Sequence, residues 1–522
     1  MFNRPDLPDG DLARLLPRVM GTQHPDNVSP VPFGDSPRVD SRGEEDEVFY
    51  NISDLDIPEL MIDYERKRGG TTPLWDWLQN CSECLMAKPV GKGFRVTPRL
   101  PNGDRDRADP YFWQSQGIFT NALLVADRMG LKYQPVTEFI VPDITDGKTV
   151  AKTERAILDR YHLESEHYRR FGEGTPFPST EDFFVQGIPL IEEVGHLMDP
   201  GPLWESLVNT REELCRVKTH VQRSFIARSD PALKAGMIPA LIAARAALAE
   251  GERFGREHGM RIPQIVGIGS APFRGGLTPD PDRIRAVVET YPGAATLTVQ
   301  SAFRYDYPQD QVVRGVGMIG EMLEKNVGKS PLNGRNSSLP DREFLRQLRP
   351  IVQRLRNLYQ QTYAELMPVV LKVAGHVPSH RERYDKVDVT GEDRRVGGLP
   401  AVRAIKYACS CYSLGIPPGI LGLRGFARLS GEEQSAVEDA CPRLFYWLGE
   451  ECAWLDPDVL SYLRSAGFDS AAEDVGAALN LVESTGDERH NKLTAKIRKL
   501  AGEEKDLTDL IMEAGKIRKF LG

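Results

Sequence analysis

The chain is poor in the features that mark secreted or membrane-embedded proteins. Seven cysteines, an odd number, are scattered over 522 residues, too sparse for a disulfide framework. Cys81 and Cys84 form a C-x-x-C, and Cys409 and Cys411 lie two apart. Neither has a second, similarly spaced ligand pair nearby, so reduced, partly buried thiols are expected rather than zinc. No apolar run nears the roughly 20 residues of a membrane span. The start, Met1-Phe2-Asn3-Arg4-Pro5-Asp6, lacks the basic-then-apolar pattern of a secretory leader. Excess positive charge is missing too: a net charge of −9 argues against nucleic acid or an anionic membrane as the main partner. There is no internal repeat and no low-complexity tract. A cytoplasmic protein is expected.

What remains is a sequence with 40% hydrophobic and 27% charged residues, ordinary for a globular protein with a substantial core. Its length exceeds a usual domain, so either two or three domains or one large barrel with additions is expected. Residues 28–52 are rich in Pro, Asp, Glu, Gly and Ser, with acidic Glu44 to Glu47, and read as a surface loop or mobile segment. From about 90 to 300, short apolar or β-branched runs alternate with helical patterns. The runs are Phe94–Thr97, Phe139–Val141, Phe183–Val185, Ser224–Ala227, Gln264–Gly267 and Thr296–Val299; the helical stretches include Val150–Phe171 and Pro239–Glu257. Such alternation implies parallel strands with crossover helices. Beyond 308 the pattern is helical, over Gln309–Lys325, Asp341–Val373, Leu399–Leu414 and several short helices from 431 onward. The fold expected is α/β, a (β/α)8 TIM-type barrel embedded in many additional helices, with the C-terminal third nearly all α. Residues 1–522 are read as one barrel-based domain: 1–90 an N-terminal segment, 91–330 the barrel portion, and 331–522 a mainly helical portion that completes the site.

In such a barrel the chemistry sits at the C-terminal ends of the strands. Those ends carry Arg99, Glu192, Glu193, Arg228, Asp230, the Gly-rich turn Gly267–Gly276 with Arg274 in it, and Arg304. Carboxylates from two strands suit a hard cation with positions left open for substrate oxygens. Forked arginine donors suit phosphate or carboxylate. Each acid alone could cap the following helix and each arginine alone could pair with a neighbour; five such strand ends in series favour a phosphorylated, metal-chelated acid as ligand. Upstream, Thr22-Gln23-His24-Pro25-Asp26-Asn27 holds a histidine that Pro25 keeps out of helical geometry, a loop position suited to acid–base work near neutral pH.

Eight motifs in this order resemble the archaeal-type phosphoenolpyruvate carboxylases over nearly the whole chain. They are T-Q-H-P-D-N (22–27), T-P-R-L-P-N (97–102), I-P-L-I-E (188–192), A-R-S-D-P-A-L (227–233), G-I-G-S-A-P-F-R-G (267–275), T-V-Q-S-A-F-R-Y-D (298–306), Y-S-L-G-I-P-P (412–418) and R-K-F-L-G (518–522). The resemblance implies His24 as the base toward carboxyphosphate, and Glu192 and Asp230 as ligands of a divalent metal, Mg²⁺ or Mn²⁺. It places Arg99, Arg394 and Arg403 around phosphoenolpyruvate and Arg274 beside the reacting groups, with Arg274 and Arg403 catalytic. Gly275 and its neighbours would let backbone approach the substrate. Lys234 and Arg304 are second-tier candidates.

The implied reaction joins phosphoenolpyruvate and bicarbonate into oxaloacetate and phosphate, an anaplerotic carbon fixation, in a homotetramer with no nucleic-acid or membrane partner. The sequence departs from the family where Ile62-Asp63-Tyr64-Glu65-Arg66-Lys67 replaces W-D-x-E-G-K, in the spacing before Arg403, and over 469–515. Arg395 beside Arg394 leaves two arginines for one role. Another metal-dependent carbon–carbon lyase on the same type of barrel, and a non-enzymatic descendant, are the alternatives. A lid is expected from the Gly267–Gly276 turn or from segment 376–398.

Overall fold

The computed structural model of the chain describes residues 16–40, 43–64, 87–108, 110–131, 133–171, 183–327, 341–381, 390–483, 485–503 and 505–522. Cys81 and Cys84 lie outside the described residues. The five described cysteines, Cys215, Cys409, Cys411, Cys441 and Cys452, are free thiols, and all but Cys215 are buried.

Eight parallel strands close into a barrel in sequence order. They are β1 (Val19–Thr22), β2 (Glu59–Asp63), β3 (Arg95–Arg99), β4 (Glu138–Val141), β5 (Gln186–Ile191), β6 (Ser224–Ala227), β7 (Gln264–Gly267) and β8 (Thr296–Val299). Closure comes from β1, which pairs with β2 (Met20 opposite Glu59) and with β8 (Val19 opposite Leu297). Side chains alternate between two buried faces. Met20, Met61, Ile140, Ile188, Leu190, Phe225, Ala227 and Ile265 fill the lumen as their own cluster. The outward set, including Val19, Leu60, Val96, Phe139, Ile226, Val266 and Leu297, joins one contiguous core that runs through the surrounding helices as far as Leu521. With both faces covered, these strands read as short apolar runs rather than as alternating ones.

The N-terminal end of the barrel is closed by charge. Arg223 donates both terminal nitrogens to Glu59 at 2.8 Å and one of them also to Glu138 at 3.0 Å; Thr97 adds a hydrogen bond of 2.6 Å to Glu59. Burial opposes ionisation of Glu59, but Arg223 and Arg95 overcome it and hold the carboxyl below its ordinary range.

The structure moves three of the expected boundaries. Residues 28–52 are not all loop: Gly43–Ser53 is a helix. Its acidic start suits the positive end of the helix dipole, and Val48 and Ile52 are buried. Within the acidic run Glu44 and Glu47 are buried, while Asp46 is exposed. The strand expected at Phe183–Val185 begins instead at Gln186 and includes Gly187 and Pro189, apparent breakers overridden by pairing with β4 (Val141 opposite Pro189). The helix expected over Leu399–Leu414 starts only at Ala404. Before it, β9 (Thr390–Val396) and β10 (Leu399–Val402) form an antiparallel hairpin whose two-residue turn is Gly397-Gly398.

Apart from this hairpin, the described elements beyond the barrel are helices. The longest described helix, Arg342–Ala374, is capped by Asp341, whose carboxylate accepts from the Phe344 amide at 2.8 Å. No described helix is long and apolar enough to cross a membrane.

Candidate active site

The candidate residues gather where parallel barrels keep their chemistry, at the C-terminal ends of the strands. His24 lies two residues past the end of β1, Asp63 ends β2, Arg99 ends β3, Glu192 follows β5, Arg228 to Asp230 follow β6, the Gly267–Gly276 turn leaves β7, and Gln300 to Arg304 follow β8.

His24 is half-buried, with Nδ1 2.8 Å from Thr22 Oγ1. When the Thr22 hydroxyl donates to the Val299 carbonyl, 3.4 Å away, it accepts from an Nδ1–H, the tautomer that puts the basic lone pair on Nε2. Burial pushes the imidazole well below its ordinary value, and the charges of Arg274, Arg99 and Arg304 push it further, against a smaller opposing pull from Asp63. His24 is therefore a neutral imidazole, able to accept a proton at pH 7. Its loop is fixed from several sides. The Gln23 side chain donates to Glu44 O at 3.1 Å and accepts from the Asp63 amide at 3.1 Å. Asp306 accepts from the amides of Val28 and Ser29 at 3.1 and 2.9 Å.

Three arginines converge on this loop, and each is held. Arg99 forms a two-bond pair with Asp63 (3.0 and 2.7 Å). Arg274 is fully buried and donates to Ser229 Oγ (3.0 Å), Asp26 Oδ2 (3.1 Å), Gly522 O (2.5 Å) and Gln300 Oε1 (2.5 Å). Arg304 donates to the His24 carbonyl at 2.6 Å and pairs with Glu47, which also receives Arg381 at 2.7 Å and the Tyr305 hydroxyl at 2.6 Å. Arg274 sits in the turn at Pro272–Arg274, and Gly275 after it has φ of 115°, a backbone only glycine adopts readily. Residues 268–279 are buried, so this turn is a packed wall of the site and not an exposed cover.

Glu192 and Asp230 stand on neighbouring strand ends, since β5 and β6 pair through Leu190–Phe225 and Ile191–Ile226. Glu192 is buried and one of its oxygens accepts from the Asp143 amide at 2.8 Å. Lys234, one turn after Asp230 on helix Ser229–Ala235, is paired with Glu193. Burial works to lower its ammonium, yet the charges of Asp230, Glu193 and Glu192 outweigh that and raise it. So the two expected metal ligands share one concentration of negative charge. Among the described residues no group of three or more His, Cys, Asp or Glu is placed to hold a metal. Two hard carboxylates beside such a charge fit a cation like Mg²⁺, which uses one or two protein carboxylates and takes its other oxygens from substrate and water.

The hairpin brings the remaining arginines. Strand β9 lies against helix Ser229–Ala235, the helix of Asp230. Arg394 is in β9, with its side chain outside the described residues; Arg395 is exposed and donates to Gly398 O at 2.9 Å, within the turn. Arg403 is partly buried at the start of helix Ala404–Ser413. Sequence reasoning gave no role to Asp26, Asp63, Ser229, Gln300, Glu47 or Arg381. The first four lie within or beside motifs already noticed. Glu47 and Arg381, 334 residues apart, carry no sequence signal of their pairing.

A closed parallel barrel with a neutral histidine, arginines and paired carboxylates at its strand C-termini has the architecture of a barrel enzyme. The family model described as phosphoenolpyruvate carboxylase matches residues 16–522. The phosphoenolpyruvate carboxylase of Metallosphaera sedula is 30% identical over 467 residues, 87% of this chain and 87% of its own. That of Methanothermobacter thermautotrophicus is 29% identical over 97% of this chain and 100% of its own, and that of Pyrococcus abyssi 32% over 78% and 82%. The chain belongs to the archaeal-type phosphoenolpyruvate carboxylase family.

Proposed function

We propose that this chain carboxylates phosphoenolpyruvate with bicarbonate, giving oxaloacetate and inorganic phosphate, in an anaplerotic role in the cytoplasm and as a homotetramer. The observation that carries the reading is His24: a half-buried, neutral imidazole under the charges of Arg274, Arg99 and Arg304 at the barrel mouth. Bicarbonate is a poor nucleophile, so its oxygen first attacks the phosphorus of phosphoenolpyruvate. The phosphorus–enol oxygen bond breaks, leaving carboxyphosphate and the enolate of pyruvate. Nε2 of His24 accepts the carboxyphosphate proton, and the carbon–oxygen bond to phosphate breaks to release carbon dioxide. The enolate carbon then forms the new carbon–carbon bond.

Arginines serve as phosphate and carboxylate clamps, Arg99, Arg394 and Arg403 for phosphoenolpyruvate and Arg274 beside the migrating phosphoryl group; orientation of this kind supplies roughly 7–11 kcal/mol of a barrier. Backbone at Gly275 comes close to the substrate. Glu192 and Asp230 would hold a divalent cation, Mg²⁺ or Mn²⁺, which when bound supplies neutralisation of negative charge on the substrate.

The test is oxaloacetate formation from phosphoenolpyruvate, followed with malate dehydrogenase, with and without bicarbonate. Bicarbonate-dependent oxaloacetate with matching phosphate release supports the carboxylase. Turnover indifferent to bicarbonate means another lyase, and no turnover with either metal refutes an enzymatic role.

A further inference from the structure

The run Tyr412–Pro418 matched the family as a motif, yet none of its side chains enters the reaction just described. Tyr412 nevertheless touches the turn that carries Arg274. It stands near the end of helix Ala404–Ser413, fully buried, and its hydroxyl makes two hydrogen bonds of opposite sense. The hydroxyl donates to Glu451 Oε1 at 2.7 Å and accepts from the Phe273 amide at 3.2 Å. The other oxygen of Glu451 accepts from the Gly419 amide at 3.0 Å. A Cβ at 419 would come within 2.4 Å of the Glu451 carboxyl carbon, so glycine is what lets the carboxylate reach in. Glu451 itself is fully buried on helix Leu444–Cys452.

The sense of these bonds matters. Phe273 lies in the single turn Pro272–Arg274, too short to satisfy its own first amides. A phenol has one proton. Giving it to Glu451 turns the oxygen lone pairs toward the Phe273 N–H, and a chain of this kind strengthens each bond in it. The next residue, Arg274, meets four acceptors on four different segments, so a small displacement of the turn misplaces its guanidinium.

We propose that Glu451, acting through Tyr412, is a positioning residue that fixes the Arg274 turn for catalysis. The inference rests on the reading of Arg274 as part of the carboxylase site. Burial pushes the Glu451 carboxyl up to about 7, against its bonds from Tyr412 and Gly419 and the charges of Arg283 and Arg228. Cys411 and Cys452 also face it. A carboxylate only accepts, whereas a protonated carboxyl can donate to the phenol and take up the lone pairs that hold Phe273. The brace is therefore firm above pH 7 and weaker below.

The test uses Tyr412→Phe, Glu451→Leu and the conservative Glu451→Gln in the full chain. Tyr412→Phe and Glu451→Leu are expected to lower kcat at least tenfold with KM for phosphoenolpyruvate within twofold, and to speed hydrogen exchange at the Phe273 amide. The unsubstituted enzyme is expected to show an inflection near pH 7, and Glu451→Gln, which keeps an acceptor for Tyr412, to retain most of kcat at pH 8 and to lack that inflection. Unchanged kcat in the first two variants, with only the thermal midpoint lowered, overturns the proposal and leaves a structural hydrogen bond. If the unsubstituted chain makes no oxaloacetate, the carboxylase reading fails on its own. Exchange at Phe273 in Tyr412→Phe still decides the brace, and unchanged exchange sinks it.

Discussion

Asp26 and Arg274, 248 residues apart, form a fully buried ion pair with Oδ2 3.1 Å from a terminal guanidinium nitrogen. The other Asp26 oxygen accepts from the Ser301 amide at 3.3 Å, so one carboxylate joins the histidine loop, the β7 turn and the end of β8. Breaking such a pair from one side leaves a buried charge and costs about 3–5 kcal/mol. Asp26→Ala is expected to lower the thermal midpoint, and to reduce oxaloacetate formation by about 10²-fold as geometry is lost in the folded fraction. Activity per folded molecule at the unsubstituted level would show that Asp26 only stabilises.

His24→Asn should bind phosphoenolpyruvate and make little oxaloacetate, with kcat lower by about 10²–10⁴-fold, the range of general acid–base catalysis. Because burial and three arginines hold the imidazole well below 6.5, its protonation should cut kcat/KM only on the far acid side of that value. A pH profile whose acid limb is centred at or above 6.5 would assign that limb to another group.

Glu192→Gln and Asp230→Asn each remove half of the charge available to a divalent cation. Calorimetric titration of Mn²⁺ into each full-length variant should show affinity weakened by more than tenfold. Lys234, raised by these acids, should also lose part of its elevation, which a lysine-resolved NMR titration would read. Metal titrations superimposable on that of the unsubstituted protein would remove the pair from the metal site.

Burial pushes the Asp306 carboxyl up to about 7 from an ordinary 3.8, with the amides of Ser29 and Val28 opposing and Asp26 adding to the rise. A raised acid favours folding most below its unfolded value, and that contribution is lost as pH climbs through the folded one. Asp306→Asn has no such titration. The stability of the unsubstituted protein relative to Asp306→Asn should therefore decline from about pH 4 to about pH 7 in urea melts and level off above that. A constant difference over that range would refute the shift.

At the opposite end of the barrel, Arg223→Met leaves Glu59 and Glu138 with Arg95 in place of two cations. We expect a stability loss of about 3–5 kcal/mol, read by denaturant melts, and near-normal kcat in the protein that remains folded. A selective fall in kcat would tie the charged plug to the chemistry above it.

Much of this was legible in the sequence, for physical reasons that differ by element. Strands β6, β7 and β8 announced themselves because burial on both faces leaves short, unbroken apolar runs between polar turns. β1 and β2 did not: Gly21 interrupts one, and Glu59 and Asp63 bracket the other with charges whose partners, Arg223 and Arg99, lie 164 and 36 residues further along the chain. His24, Glu192, Asp230 and Arg274 could be proposed from the sequence because each sits in a compact motif. Glu47 was read as part of a surface loop or mobile segment because local composition cannot reveal Arg304 and Arg381, which neutralise it from far along the chain. Strand β10, the half of the hairpin before Arg403, was taken for helix although Gly397-Gly398 offered a turn signal.

Closure of β1 against β8 also has a consequence for biogenesis. On the ribosome, the segment bearing His24 emerges well before β8, and nothing made before residue 297 can supply its second sheet partner. The Asp26 carbonyl accepts from the amide of Leu521, so the loop is not fully tied until that residue too has been made. Contacts this distant in sequence slow folding and leave an unpaired edge open to wrong partners meanwhile. A nascent barrel of this kind has reason to engage a chaperone at β1, well before any proton can be moved there.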